Sequence, residues 1–164
     1  MKGSIMNTVK NESAYEIQYN HKKARITCSN SDGSRTVVSF REGKYRGDES
    51  YSSQDINVKI YTFQPTKKIN TTNKKLAALL SKIYTKRKVE YSAAWSGCDD
   101  FHTVKGCLDY IQKNASSSLT QYPNVDRVLI KASSMLLNKM NQDAEITRKQ
   151  REEMAQKVCQ NVHI

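Results

Sequence analysis

Two hydrophobic periodicities follow one another along this chain, and their order limits the folds that it can adopt. Up to residue 63, apolar and polar residues alternate, which is the pattern of half-buried strands. Turn-forming residues from Asn30 to Gly33 separate two of these runs, and Pro65 ends the last one because proline cannot donate to a sheet ladder. The alternation predicts short antiparallel strands within residues 15–19, 24–28, 36–40 and 56–63.

Beyond residue 70 the apolar residues recur every three or four positions, as they do on one face of a helix. We predict four helices, of which the first has Thr72 or Asn73 as its N-cap. The second begins near Asp99, the third at Asn124 and the fourth at about Asp143. Residues 88–95 fit a strand as well as a helix. The apolar stripe of the first helix consists of Leu76, Leu79, Leu80 and Ile83.

Strands that come first and helices that follow are typical of α+β domains. We therefore predict an N-terminal antiparallel β-meander of about four strands, followed by about four helices packed on one face. Residues 13–164 form a single domain in this interpretation, because 164 residues is an ordinary length for one hydrophobic core. Residues 1–12 are predicted to be a disordered or tag-like N-terminus.

The positive charge of the chain is concentrated in one segment. Residues 64–89 contain eight Lys or Arg and no acid, so they carry most of the net charge of +11. A concentrated positive potential selects anionic partners, whereas an ordinary charge run only solvates a helix face above a buried stripe. We predict that this basic helical segment, residues 67–88, binds a polyanion or another partner through Lys67, Lys68, Lys74, Lys75, Lys82, Lys86, Arg87 and Lys88.

Two kinds of polyanion are consistent with this segment. Nucleic acid would be bound with a steep salt dependence, because each neutralised phosphate releases counterions. Aromatic rings that could stack on bases stand nearby at Tyr61, Phe63, Tyr84 and Tyr91, although they would serve equally well in a core. An anionic membrane surface would use the same cations, but the apolar stripe would then have to face lipid instead of the core.

Four cysteines, Cys28, Cys98, Cys107 and Cys159, are the disulfide candidates. An even number of cysteines allows two disulfides, which persist in oxidising compartments. We therefore expect a periplasmic or secreted location for a mature fragment, with a cytoplasmic location and four reduced thiols as the alternative. No apolar run reaches the roughly 20 residues that a membrane-spanning helix needs, so we predict no transmembrane segment.

Motifs for catalysis are weak in this chain. Cys98, His102 and Cys107 are close in sequence, but their spacing matches no standard zinc site, and a disulfide or burial explains these cysteines better. We assign no catalytic residue, metal or cofactor. The sequence predicts a non-enzymatic binding domain, exported and stabilised by disulfides, for a protein or polyanionic partner in an inhibitor, immunity or secretion-accessory role. The alternatives are a cytosolic nucleic-acid-binding protein and a small basic nuclease toxin.

Overall fold

The computed structural model describes residues 15–43, 55–96 and 101–162. Five antiparallel strands form one sheet in the order β1-β2-β3-β4-β5. The strands are β1 (Tyr15–Tyr19), β2 (Lys23–Ser29), β3 (Arg35–Glu42), β4 (Asp55–Pro65) and β5 (Thr85–Ser96). The helices in the described residues are α1 (Lys74–Ile83), α2 (Val104–Lys113) and α3 (Pro123–Val162). The predicted α+β class with an N-terminal antiparallel meander is confirmed, with one strand more and one helix fewer than expected. The predicted N-terminus, residues 1–12, lies outside the described residues.

The turn between β2 and β3 forms where the sequence predicts it. Gly33 adopts a φ of +86°, a backbone conformation that residues with a Cβ atom rarely adopt. The Asn30 side chain donates to the hydroxyl of Ser34 at 3.0 Å and to that of Thr36 at 3.1 Å, while Asp32 Oδ1 accepts from the backbone N–H of Ser34 at 2.9 Å. These local bonds set the register in which β2 and β3 pair.

The hydrophobic core lies between one face of the sheet and the helices α2 and α3. Alternate residues of β2, β3 and β4 point into it, because side chains of a strand alternate between faces. The α2 and α3 helices are fastened to each other by Gln112, whose side-chain amide donates to the Ile130 carbonyl at 2.8 Å and to the Ser133 hydroxyl at 2.6 Å. The most deeply buried side chains are Phe40, Ile56, Val58, Val104, Leu108, Ile111, Leu129 and Leu136.

The opposite face of the sheet has neither α2 nor α3 packed on it. We call it the outer face, and it carries the alternate residues that the core does not use. Its strand positions hold Lys23, Arg25, Arg35, Arg41, Lys59 and Arg87. The sheet is therefore apolar on one side and basic on the other.

Three predicted helix boundaries were wrong. The second predicted helix, α2, begins at Val104 with Thr103 as its N-cap and not near Asp99. The basic helix ends at Ile83, and residues 85–96 form β5 along β4, where Tyr91, Ala93 and Trp95 alternate as half-buried residues and Val89 is exposed. A register shift between Ile60 and Tyr61 adjusts this pairing. The predicted third and fourth helices are one helix, α3, of 40 residues, since no proline or glycine interrupts residues 124–162.

A pair of leucines tests this division between core and surface. Leu136 in α3 is fully buried, whereas Leu79 in α1 is 59% exposed. We expect Leu136→Ala to lower the free energy of unfolding by about 2–5 kcal/mol because it leaves a cavity. Leu79→Ala, the same change in another helix, should alter it by less than about 0.5 kcal/mol. Urea unfolding followed by circular dichroism measures both values, and equal losses would contradict the fold.

Candidate functional site

Helix α1 is built as predicted at its start but is not packed as predicted. Asn73 is the N-cap, and its Oδ1 accepts from the backbone N–H groups of Lys75 at 3.0 Å and Leu76 at 3.2 Å. The apolar stripe, however, lies at the surface, with Leu76 44%, Leu79 59% and Ile83 69% exposed. The alternative of an ordinary charge run above a buried stripe is therefore not seen, since no residue of α1 is buried.

The other side of α1 turns toward the outer face of the sheet. Ala78, Ser81 and Lys82 line a groove of about 430 Å³ together with Arg35, Phe63, Thr85 and Arg87. Within the apolar stripe Leu80 is half-buried, whereas Leu76, Leu79 and Ile83 are exposed to solvent. A sequence pattern identifies the apolar stripe but not the direction in which it points.

The predicted partner-binding cations do not share one surface. Lys74, Lys75 and Lys82 belong to α1, Lys67 and Lys68 precede it, and Lys86, Arg87 and Lys88 belong to β5. Since side chains alternate along a strand, Arg87 lies on the outer face and its two neighbours lie on the opposite side. Lys88 forms an ion pair of 3.6 Å with Glu90. Lys67 Nζ lies 5.1 Å from the centre of the Tyr84 ring.

Arg87 instead joins five cations that the sequence prediction missed. In the strand register, Lys23 lies beside Arg41. Ser39 separates Arg25 from Lys59 on neighbouring strands. Phe63 separates Arg35 from Arg87 in the same way. None of the six forms an ion pair with an acid within the described parts of the chain. The signal for them was present, because each occupies a polar position of an alternating strand.

Two aromatic rings stand among these cations. Tyr61 and Phe63 make an edge-to-face contact with ring centres 5.3 Å apart. The Arg87 guanidinium lies 5.3 Å from the centre of the Tyr61 ring, and the Arg35 guanidinium lies 5.2 Å from the centre of the Phe63 ring. At these distances each guanidinium is attracted by the negative face of its ring. We call this row of four side chains across β3, β4 and β5 the cation–aromatic ladder.

A second groove, of about 390 Å³, adjoins the ladder. It is lined by Arg41, Lys59 and Arg87 together with Tyr61, Asn57 and Ser39, and Glu42 is the acid in its lining. Arg87 lines both grooves, so it stands between them. Three cations around a groove with amide and hydroxyl groups can hold an anion, and the rings beside them can pack against a planar group.

The described residues do not assemble an acid–base or metal site around these grooves. Neither groove is lined by a histidine, although His21 and His102 are among the described residues. Within residues 15–43, 55–96 and 101–162, no three His, Cys, Asp or Glu side chains cluster closely enough to hold a metal ion. Cys98, the first member of the Cys98, His102 and Cys107 set, lies outside these ranges.

Three of the four disulfide candidates are free thiols in the structure, namely Cys28, Cys107 and Cys159. The fourth, Cys98, lies outside the described residues. Cys107 is fully buried in the core, and burial raises the pKa of its thiol to about 12 because a thiolate is poorly stabilised there. Cys159, by contrast, is exposed on α3. The predicted disulfide staple is thus not seen in the described part of the chain.

Comparison with known proteins adds no relative. No protein-family profile, curated protein or solved structure matches this chain. Among the described helices, none is both long enough and apolar enough to cross a membrane. The site is therefore interpreted from its own geometry.

Alkylation of the folded protein tests the thiol environments. We expect N-ethylmaleimide to modify Cys159 rapidly without reductant, because it is exposed. Cys107 should react only after unfolding, since its thiol is buried and its pKa is about 12. Peptide mass spectrometry before and after denaturation identifies the modified residues. Protection of Cys159 that reductant removes would show a disulfide and contradict the free thiol.

Proposed function

We propose that this protein is a non-enzymatic binding domain that holds a single strand of nucleic acid on the outer face of its sheet. The observation that carries the proposal is the cation–aromatic ladder of Arg35, Phe63, Tyr61 and Arg87 beside the basic groove. The proposal moves the polyanion site from the predicted helix to the sheet and retains Arg87 from the original set.

Electrostatics supports a polyanion as the ligand. The outer face carries six Lys or Arg at its described strand positions, against the acids Glu16 and Asp55 at such positions and Glu42 in the lining of the basic groove. Neighbouring strands are about 4.8 Å apart, and alternate residues along a strand are about 7 Å apart. The cations are therefore distributed over an area on which a chain of phosphates can meet several of them at once. Such binding weakens with salt as the condensed counterions return.

The two rings favour nucleic acid over a polyanion without bases. A base that stacks on an aromatic side chain contributes about 1–3 kcal/mol of binding free energy. Tyr61 and Phe63 are partly exposed on the outer face, and each stands beside a guanidinium that can stack on a base or donate to a phosphate. Bases are splayed from the backbone only in single strands, so a single strand suits this face better than a duplex.

The other predictions about function remain predictions. A protein partner in an inhibitor, immunity or secretion-accessory role stays a prediction, and no surface of the described residues is assigned to it. The nuclease toxin would need a general acid and base near the bound phosphates. The periplasmic or secreted location, with the cytoplasmic alternative, also stays a prediction.

Charge reversal on the ladder tests the proposed site. We expect Arg87→Glu to weaken binding of a fluorescent single-stranded oligonucleotide by about tenfold or more, because it removes a cation and a stacking partner. Lys105→Glu is the matched control, since Lys105 is an exposed cation on α2, on the opposite side of the sheet. Fluorescence anisotropy at several salt concentrations should also give a shallower salt dependence for Arg87→Glu. Equal losses in both variants would indicate a nonspecific charge effect and contradict the site.

A second candidate function is supported by the exposed stripe of α1. We propose that α1 can lie on an anionic membrane surface, with Leu76, Leu79 and Ile83 toward lipid and the neighbouring lysines toward the headgroups. Segment 64–89 contains no acid that would oppose this orientation. Binding to a membrane requires that the apolar stripe faces away from the core. The exposed fractions of Leu76, Leu79 and Ile83 support this orientation.

Paired substitutions on α1 test the membrane candidate. We expect Ile83→Glu to abolish co-sedimentation with vesicles that contain phosphatidylserine, because it places a charge in the apolar stripe. Ser81→Glu changes the charge equally but lies on the side of α1 that lines the groove, so it should retain most of the binding. A wild-type protein that does not sediment with these vesicles would exclude this function and leave the nucleic-acid proposal unaffected.

A further inference from the structure

The C-terminal half of α3 projects beyond the core. We call residues 143–162 the arm, and every residue from 144 to 162 is exposed. Where the arm begins, the Tyr19 hydroxyl of β1 donates to Asp143 Oδ2 at 2.6 Å. From there the arm extends for about 30 Å at 1.5 Å per residue. Beyond Asp143, hydrogen bonds among the described residues stay within the helix.

The arm continues the apolar face that α3 uses in the core. The buried face of the helix includes Leu129 and Leu136, with Met140 packed against the core cluster. From Leu136 onward the same face recurs at intervals of three or four residues, which keeps it on one side of a helix. We call its exposed part the arm stripe, which consists of Ala144, Thr147, Arg151, Met154, Val158 and Val162.

The arm belongs to the neutral part of the chain, since residues 90–164 have no net charge and the excess of +11 lies in residues 1–89. The arm contains four Lys or Arg and four Asp or Glu, so its net charge is zero, whereas the whole chain carries +11. Two copies of the chain therefore repel each other through the basic outer face and α1 but not through their arms. Arg148 is already neutralised within its own helix, where it pairs with Glu145 and Glu152. A second copy of the arm is thus a partner that has no net charge and carries the same apolar stripe.

A groove beneath the start of the arm provides space for such a partner. It measures about 640 Å³ and is lined by Tyr19, Met140, Ala144, Thr147 and Arg151 among others. An isolated helix of about 20 residues is only marginally stable in water, and a second helix that covers its apolar face stabilises it. The groove opens onto the arm stripe, so a helix lying along the stripe would enter it.

We propose that two copies of this protein pair through their arms as an antiparallel, two-fold symmetric helix pair. In this arrangement Val158 of one copy meets Met140 of the other, and Met154 meets Ala144. The polar residues of the arm stripe also match, because Arg151 meets Thr147. A parallel pair would instead place Arg151 against its own copy, and like charges in contact are unfavourable. The dimer is independent of the nucleic-acid and membrane proposals.

Two aliphatic residues of equal exposure test the arm stripe. Val158 is 54% exposed and belongs to the stripe, whereas Ile146 is 53% exposed and lies about 120° around the helix from Val158. We expect the wild-type protein to have twice the 18.7 kDa mass of one chain in sedimentation equilibrium. Val158→Glu should shift the equilibrium to monomer by at least about tenfold in Kd. Ile146→Glu should remain dimeric, and the cooperative unfolding of the core in urea should be unchanged in both variants.

Three outcomes would overturn the proposal. A wild-type protein that is monomeric at its solubility limit excludes the dimer. Dissociation of both variants, or of neither, excludes the arm stripe as the contact. For the orientation, Ala144→Cys combined with Met154→Cys in a Cys159→Ser background should form interchain disulfides on mild oxidation. Crosslinking by Met154→Cys alone would indicate a parallel pair and contradict the antiparallel arrangement.

Discussion

The packing of α2 and α3 against one face of the sheet is the interaction on which the other features depend. It buries the alternate aliphatic residues of β2, β3 and β4 and leaves the intervening residues on the outer face. Side chains that the core does not constrain can be charged at little energetic cost, because they keep their contact with water. One-sided packing therefore separates the residues that stabilise this protein from those that can meet a partner.

The β4–α1–β5 connection places a second surface next to the first. β5 must return antiparallel to β4, and α1 lies between these strands in the chain. Ala78, Ser81 and Lys82 of α1 line a groove together with Arg35, Phe63 and Arg87 of the sheet. Leu76, Leu79 and Ile83 of this helix are exposed to solvent. The nucleic-acid face and the candidate membrane helix are thus neighbours, and the variants that test them are different residues.

The long α3 helix links the core to the proposed dimer contact. Its first half supplies Leu129 and Leu136 to the core, and its second half repeats the same face without a sheet to cover it. Free thiols are compatible with this organisation, since Cys107 acts as a small apolar side chain beneath the sheet. The described fold is held by its core and by bonds such as those of Gln112, with no disulfide among the three described cysteines.

Local periodicity determined much of this fold from sequence alone. The alternation in β1 to β4, the turn at Gly33, the Asn73 cap and the α+β order all depend on neighbouring residues. The sequence prediction missed the extent of β5, because pairing with β4 decides it. It also missed the continuity of α3, because the helix continues through residues where the apolar periodicity becomes weaker. Of the predicted site, Arg87 joins the outer-face cations and Lys82 lines the groove beside it. Arg35 and Arg87 are distant in sequence from Tyr61 and Phe63 and meet them only through strand register, so tertiary structure alone could bring them together.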